Sequence, residues 1–199
     1  MNLAAQIGFV FLSYLIGSIP FGYLVTRYAT NKNILELGSG NIGSTNVGRV
    51  SGKKFSVITQ VLDMTKGIIP VAVFICFIKG RVVVPDYYVY LVALATIIGH
   101  DFSIYLKLKG GKGVNTTQGA SVLLAPYSAF IAAAVFYLVK WRFKYSSIGS
   151  ICLAISLPAT ELIIHGLTLS FYYLVVCMVL IIVRHRKNID RLLNKRELL

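Results

Sequence analysis

The stretch 114-VNTTQGASVLLAPYSAFIAAAVFYLVK-140 decides how often the chain crosses a membrane. As one helix it would reach about 40 Å at 1.5 Å per residue, longer than a bilayer core of about 30 Å. Broken at Pro126 it becomes two short helices, a hairpin suited to packing inside a bundle. Charge separates the two readings. With the break, the basic tracts at 27–54, 107–112, 140–144 and 184–196 share one side of the membrane, and Lys66 lies near the same end of its span. Of the 20 Lys and Arg residues, only Lys79 and Arg81 are left opposite. A single span over 114–140 would carry the last two basic tracts across. Lys and Arg collect in cytoplasmic loops. The expectation is therefore an all-α, polytopic membrane helix bundle with seven transmembrane helices, N-terminus outside and C-terminus cytoplasmic.

The other expected spans are 3–26, 55–78, 87–106, 147–163 and 167–183. Composition agrees: 56% of the 199 residues are hydrophobic and 14% charged, where a soluble domain is nearer a quarter charged, and mean hydropathy is +0.74. The length suits one domain, 1–199. A net charge of +13 raises nucleic acid as a partner, but the charges lie in short runs between apolar spans and no nucleic-acid module is visible. Cys76, Cys152 and Cys177 stand singly in apolar spans, with no CxxC and no nearby His pair, so neither a metal site nor a disulfide framework is expected. The first basic residue is Arg27, so the N-terminus does not read as a cleaved signal peptide. Asp63 and Lys66 lie one helical turn apart and should pair. Glu161, near the outer end of its span, is expected to face water.

Three polar stretches fall on the side rich in Lys and Arg. The first is 38-GSGNIGSTNVGR-49, whose small polar residues offer hydrogen-bonding groups and whose Arg49 is a fork-shaped cation suited to phosphate. The second is 99-GHDFSIYLKLKGGKGVNTT-117. Its glycines allow a sharp turn that presents backbone N–H groups to an anion, Lys112 adds a full charge, and a helix beginning near Val114 would aim its positive end at the same place. The Walker pattern GxxxxGK[ST] is absent. The plainer reading is a basic loop that only anchors a helix end. The third is 185-HRKNIDRLLNKRE-197, where His185 and Asn188 are three apart and should share a helix face.

These stretches resemble the bacterial acyl-phosphate-dependent glycerol-3-phosphate acyltransferase family, which shows a GSGNxGxTNxxR loop, a GHxFS/P…KGGKG stretch and an HxxNIxRLLxGxE tail. The resemblance runs the full length. It departs at Lys195, where the family has glycine, and at Asn115, where alanine is usual. The resemblance implies transfer of a fatty acyl group from acyl phosphate to the sn-1 hydroxyl of glycerol 3-phosphate, an early step of phospholipid synthesis giving lysophosphatidic acid and phosphate. It implies a multi-pass enzyme of the bacterial inner membrane with a cytoplasmic active site and no cofactor. Arg49 and Lys112 would bind phosphate as cations. Ser39, Gly40, Asn41, Thr45 and Asn46 would orient substrate and shape the first loop. Gly110, Gly111 and Gly113 would supply N–H groups to a phosphate or a developing oxyanion. His185 and Asn188 would complete the glycerol phosphate pocket. Ser147 and Ser150 match a Ser-x-x-Ser feature of the family, against a plainer reading as helix caps. The basic face suits an acidic partner, and a soluble acyl-phosphate-producing acyltransferase is the candidate.

Three proton acceptors are open: His185, His100, and the donor's own phosphate. The last is favoured, because no Ser/His/Asp or Cys/His set is visible, and a covalent acyl-enzyme is not expected. His185 and Asp190 also match HxxxxD, the box of acyltransferases that use thioester donors. A five-residue offset in a helix puts the two side chains about 140° apart, so this reads as coincidence. A transporter for a phosphate ester would place polar groups at midplane and often show internal repeats; neither is seen. A non-catalytic scaffold would have no need of three glycine-rich polar motifs.

Overall fold

The computed structural model describes residues 1–198. Among the described residues the chain is helical, with no strand beyond an isolated bridge between Lys79 and Val82. Ten α-helices follow in order: α1 (Leu3–Ser18), α2 (Phe21–Thr30), α3 (Ser44–Ser51), α4 (Lys53–Val73), α5 (Tyr88–Asp101), α6 (Val114–Leu124), α7 (Pro126–Phe143), α8 (Ser146–His165), α9 (Leu169–Arg184) and α10 (Arg186–Leu193). Four helical stretches are long and apolar enough to cross a membrane: Leu3–Thr30, Lys53–Ile78, Tyr88–Leu106 and Ser146–His165. The α9–α10 pair, bent by 55°, passes the same test only if its two helices are counted as one broken span. Their outer faces carry large apolar side chains, such as Phe11, Val61 and Ile163, exposed as a lipid-facing surface requires.

Two of the breaks fall at prolines. α1 stops at Ile19, which takes an extended conformation ahead of Pro20. Ala125 leaves the helical region and Pro126 opens α7 at its first turn, where its missing N–H is harmless. The expected break in 114–140 is therefore present, between helices of 11 and 18 residues. Pro70 sits inside α4, and the helix loosens four residues later into a π turn over Phe74–Ile78.

The chain divides into two compact units, Met1–Ala120 and Ser121–Leu199. In the first, α1 packs along α5. They cross where Gly17 and Gly99 each lie against the other helix's backbone, the small-residue contact that lets membrane helices approach closely. Tyr88 Oη donates to Gln6 O and Tyr14 Oη to Phe102 O, both at 2.8 Å, and Ser103 Oγ donates to Ser18 O at 2.6 Å. The segment 27–54, expected as a polar loop, is partly folded. It holds a 3-10 turn at Ile34–Glu36 and the whole of α3. Buried Ile34, Ile42 and Val47 give it a small core of its own, packed by Tyr23, Phe55 and Leu106.

In the second unit α8 packs against both α7 and α9. Glu161 corrects the expectation of a water-facing carboxylate: it is 2% exposed. Ser128 Oγ donates to its Oε2 at 2.5 Å and Ser170 Oγ to its Oε1 at 2.6 Å. His165 Nδ1 lies 3.2 Å from the same oxygen as Ser170. A residue near the end of α8 was free to turn inward because two serines on neighbouring helices offered hydroxyl donors; no local pattern announces that.

Candidate active site

The first unit gathers the first two motifs at one place. α3 begins at Ser44 with Gly43 as its N-cap and no capping side chain. α6 begins at Val114. Asn115 Nδ2 donates to Ser44 Oγ at 3.1 Å, so the first turns of the two helices lie side by side. Asn41 Nδ2 reaches Gly110 O at 3.4 Å and joins the loops before those helices. Two helix N-termini thus bring their partial positive charge together, with half-buried Lys112 in the loop leading into α6, while half-buried Arg49 stands in the last turn of α3. The departure at Asn115 supplies one of the two links.

Asn46 is the organiser of the first loop. It is 1% exposed. Its Oδ1 accepts from Ser39 N at 2.9 Å, and its Nδ2 donates to Leu37 O at 3.0 Å and Asn41 O at 2.9 Å. Asn41 Oδ1 in turn accepts from Gly43 N at 2.8 Å. Of the two roles expected for Asn41 and Asn46, shaping the loop is what these bonds accomplish. Thr45 and Gly40 are exposed and Ser39 half-buried at the same loop.

The glycine–lysine loop is held from beneath by the end of α5. After the 3-10 turn Ile104–Leu106, Lys107 (φ 52°) and Leu108 (φ 64°) take left-handed conformations that turn the chain back. Non-glycine residues there are strained. Gly111 N donates to His100 O at 2.8 Å. A Cβ on Gly111 would collide with His100 Nε2, and Gly113, at φ 74°, would bring one to 3.1 Å from Asp101 Oδ1. Glycine at 111 answers a close approach; at 113 it answers a backbone conformation. Asp101, 0% exposed, was not singled out from sequence. It occupies the variable place in the GHxFS pattern, so the motif draws no attention to it.

The second unit gathers Ser147, Ser150, His185 and Asn188. Ser147 and Ser150 are buried in the first turns of α8. The N-cap is Tyr145, and Ser150 Oγ donates back to Ser146 O at 2.9 Å, so neither serine caps the helix. His185 and Asn188, expected on one helix face, fall at the N-cap and in the first turn of the same helix, α10. His185 stands at the joint between α9 and α10, and Asn188 lies within α10. Both are buried, at 3% and 4% exposed. His185 Nδ1 is 2.8 Å from Ile181 O, whereas Asp190 is exposed and pairs with Asn194. The arrangement agrees with reading HxxxxD as coincidence.

The tail has an anchor that the motif contained but the sequence reading passed over. Asn188 Nδ2 donates to Glu197 Oε1 at 2.5 Å and Arg191 Nε to Glu197 Oε2 at 3.0 Å. Burial pushes the Glu197 carboxyl up, but the hydrogen bonds from Asn188 and Arg191 and the Arg191 charge outweigh it and hold the group below its ordinary value. Beside this anchor, α8 and α10 enclose an open apolar groove of about 740 Å³ lined by Ile148, Ile151, Cys152, Ile189 and Leu192. Among the described residues no group of three His, Cys, Asp or Glu side chains is placed to hold a metal.

Among the described residues the protein is a helical membrane protein in which two helix N-termini meet at one polar site, an arrangement that favours an anion. Residues 7–195 match the family model described as glycerol-3-phosphate acyltransferase. The chain is 42% identical over 193 residues to the glycerol-3-phosphate acyltransferase of Clostridium acetobutylicum, covering 94% of this chain and 96% of that one. It is 42% identical to that of Syntrophotalea carbinolica over 185 residues, covering 93% and 92%. Its structure is similar to that of PlsY, an integral membrane glycerol 3-phosphate acyltransferase. For PlsY in a glycerol 3-phosphate form the TM-score is 0.89 at 32% identity, over 98% of this chain and 94% of that one. For a lysophosphatidic acid form the values are 0.85 and 33%, with the same coverage. The chain belongs to the glycerol-3-phosphate acyltransferase family, and it is an integral-membrane acyltransferase.

Proposed function

We propose that this acyltransferase takes its acyl group from acyl phosphate and places it on the sn-1 hydroxyl of glycerol 3-phosphate. The observation that carries the reading is the joining of the α3 and α6 first turns, through Asn115 and Ser44, at the end of the loop that carries Lys112. A donor and an acceptor that both carry phosphate call for such a concentration of N–H groups and cations. The hydroxyl oxygen attacks the acyl carbonyl carbon, the bond from that carbon to the phosphate oxygen breaks, and phosphate leaves with the electron pair. The hydroxyl proton passes to the departing phosphate, which leaves as hydrogen phosphate dianion, so no covalent acyl-enzyme forms. Arg49 and Lys112 balance the phosphate charge, and the N–H groups of Gly110 and Gly113 face phosphate or the developing oxyanion; Gly111 N, expected to do the same, is instead bound to His100 O and fixes the loop. Ser39, Gly40, Asn41, Thr45 and Asn46 shape the first loop and orient substrate. His185 and Asn188 contribute to glycerol 3-phosphate binding, with Ser147 and Ser150 as further polar contacts.

The whole chain acts as one acyltransferase domain with seven spans, N-terminus outside, in the bacterial inner membrane. Its reaction takes place at the cytoplasmic face, where a soluble acyl-phosphate-producing acyltransferase is the fitting partner for the basic surface. The family match over 7–195 and the charge bias support this. PlsY has been solved in a glycerol 3-phosphate form and a lysophosphatidic acid form, which supports the acceptor and product. The test is acyl transfer to labelled glycerol 3-phosphate by the purified protein in lipid, with acyl phosphate, acyl-CoA and acyl carrier protein thioester offered separately. Product from acyl phosphate alone, lost in Lys112→Ala, is expected. Product from either thioester would overturn the donor assignment.

A further inference from the structure

Behind the glycine–lysine loop runs a buried polar chain that the chemistry above does not use. Asp63 and Lys66 on α4 are 1% and 2% exposed, with Lys66 Nζ 2.9 Å from Asp63 Oδ1. Lys66 Nζ also donates to Ile19 O at 2.8 Å, the carbonyl at which α1 stops, and lies 5.5 Å from the centroid of the Phe21 ring. Asp63 Oδ1 is 3.5 Å from Nδ1 of His100, on the last turn of α5. The opposite edge of that imidazole, at Nε2, lies against Gly111 so closely that a Cβ there would collide with it. The backbone carbonyl of His100 accepts from Gly111 N. The line therefore runs from the α1–α2 break through α4 and α5 to the residue beside Lys112. Asp101 faces the far end of the same loop, at Gly113.

Ionisable groups inside a span are expensive and mark function by default. An apolar cluster of the same volume would join α4 to α5 at least as well as a buried ion pair. What the polar trio adds is direction. Asp63 stands 3.5 Å from one edge of the His100 ring, and the other edge is the floor under Gly111. A misplacement of about 1 Å in a group that binds the reacting centre is enough to lose a hundredfold in rate.

We propose that Asp63, backed by Lys66, is a positioning residue for acyl transfer: it sets the His100 ring, and the ring sets the height of the Gly110–Gly113 loop and the place of Lys112. This rests on the phosphate-binding reading of that loop.

The experiment uses the full-length protein in lipid. Asp63→Asn keeps the size of the side chain and removes its charge. It is expected to lower kcat/KM at least tenfold and to speed amide exchange across 109–114 at least tenfold, with exchange across 44–51 unchanged. Gly111→Ala is expected to lower kcat/KM at least a hundredfold. Adding His100→Asn, which keeps a donor at the Nδ1 position and removes the far edge of the ring, should recover at least tenfold of that loss. A lowered unfolding temperature in Asp63→Asn with kcat/KM and loop exchange within twofold of wild type would show that the trio only holds helices together, and would overturn the proposal. Should Asp63→Asn not fold, the second pair decides, and a double variant no more active than Gly111→Ala overturns it. A wild-type rate in Lys112→Ala would sink the phosphate reading separately, because the exchange response does not depend on it.

Discussion

Lys195 illustrates how one side chain can sit against its backbone. α10 ends in a Schellman turn, in which Arg196 N donates to Arg191 O at 2.7 Å and Lys195 N to Leu192 O at 3.1 Å. The residue at the turn is left-handed, at φ 55°. The family pattern has glycine there, and this chain carries a β-carbon in a conformation that disfavours one. Lys195→Gly should stabilise the tail by roughly 0.5–1 kcal/mol, the left-handed strain relieved less the added backbone entropy, read as slower amide exchange over 191–197. Asn46 makes the opposite case. Its side chain is spent on three backbone partners, and Asn46→Ala should cost about 3 kcal/mol of loop stability at about 1 kcal/mol per bond. Faster exchange over 38–43 would report it, and unchanged exchange there would refute the scaffolding role. The motif made Asn46 legible as important. Its direction was not legible, because that depends on α3 packing through Val47 against Ile34 and Ile42.

At the scale of elements, two carboxylates tie helices together. Glu161 joins α7, α8 and α9 through Ser128 and Ser170. Glu161→Ala removes two hydrogen bonds to a charged group and leaves buried hydroxyls behind. A loss of about 3 kcal/mol or more is expected, measured as a lower unfolding temperature in lipid, with catalysis by the folded fraction retained. Glu197 holds α10 through Asn188 and Arg191. Its folded-state pKa lies below the ordinary value of 4.5, so the carboxylate's stabilisation is fully present above that value and is lost as pH falls through the folded value. Exchange of the 186–197 segment should therefore be flat from pH 7 to about 5 and rise below about 4.5, after correction for intrinsic rates. In Glu197→Gln that acid step should vanish. The helix boundaries near Val114, Pro126 and Ser146 were readable from sequence, since proline, glycine and the start of an apolar run act locally. The bend at His185 was not, since nothing local at 184–186 breaks a helix.

For the whole molecule, the orientation in the membrane is the claim most open to test. In a variant with Cys76, Cys152 and Cys177 replaced by serine, single cysteines at Gly80, Lys109 and Lys144 would be probed with an impermeant maleimide on intact cells. Labelling of Gly80→Cys alone is expected. Labelling of Lys144→Cys from outside would mean that 114–140 crosses once and would sink the seven-span topology. That the protein lives in a membrane follows from the chain alone, because the transfer free energy of long apolar runs is a sum over residues and needs no partner. The break at Pro126 follows too, from the missing N–H of one residue, and the three motifs name the family without coordinates. Which polar groups meet is different. Asn41 and Gly110 are 69 residues apart, and Asn115 and Ser44 71. Asp63 reaches His100 on another helix. Such pairings depend on how α3, α4, α5 and α6 pack, and packing is a property of side chains brought together from distant parts of the chain, which no local periodicity encodes.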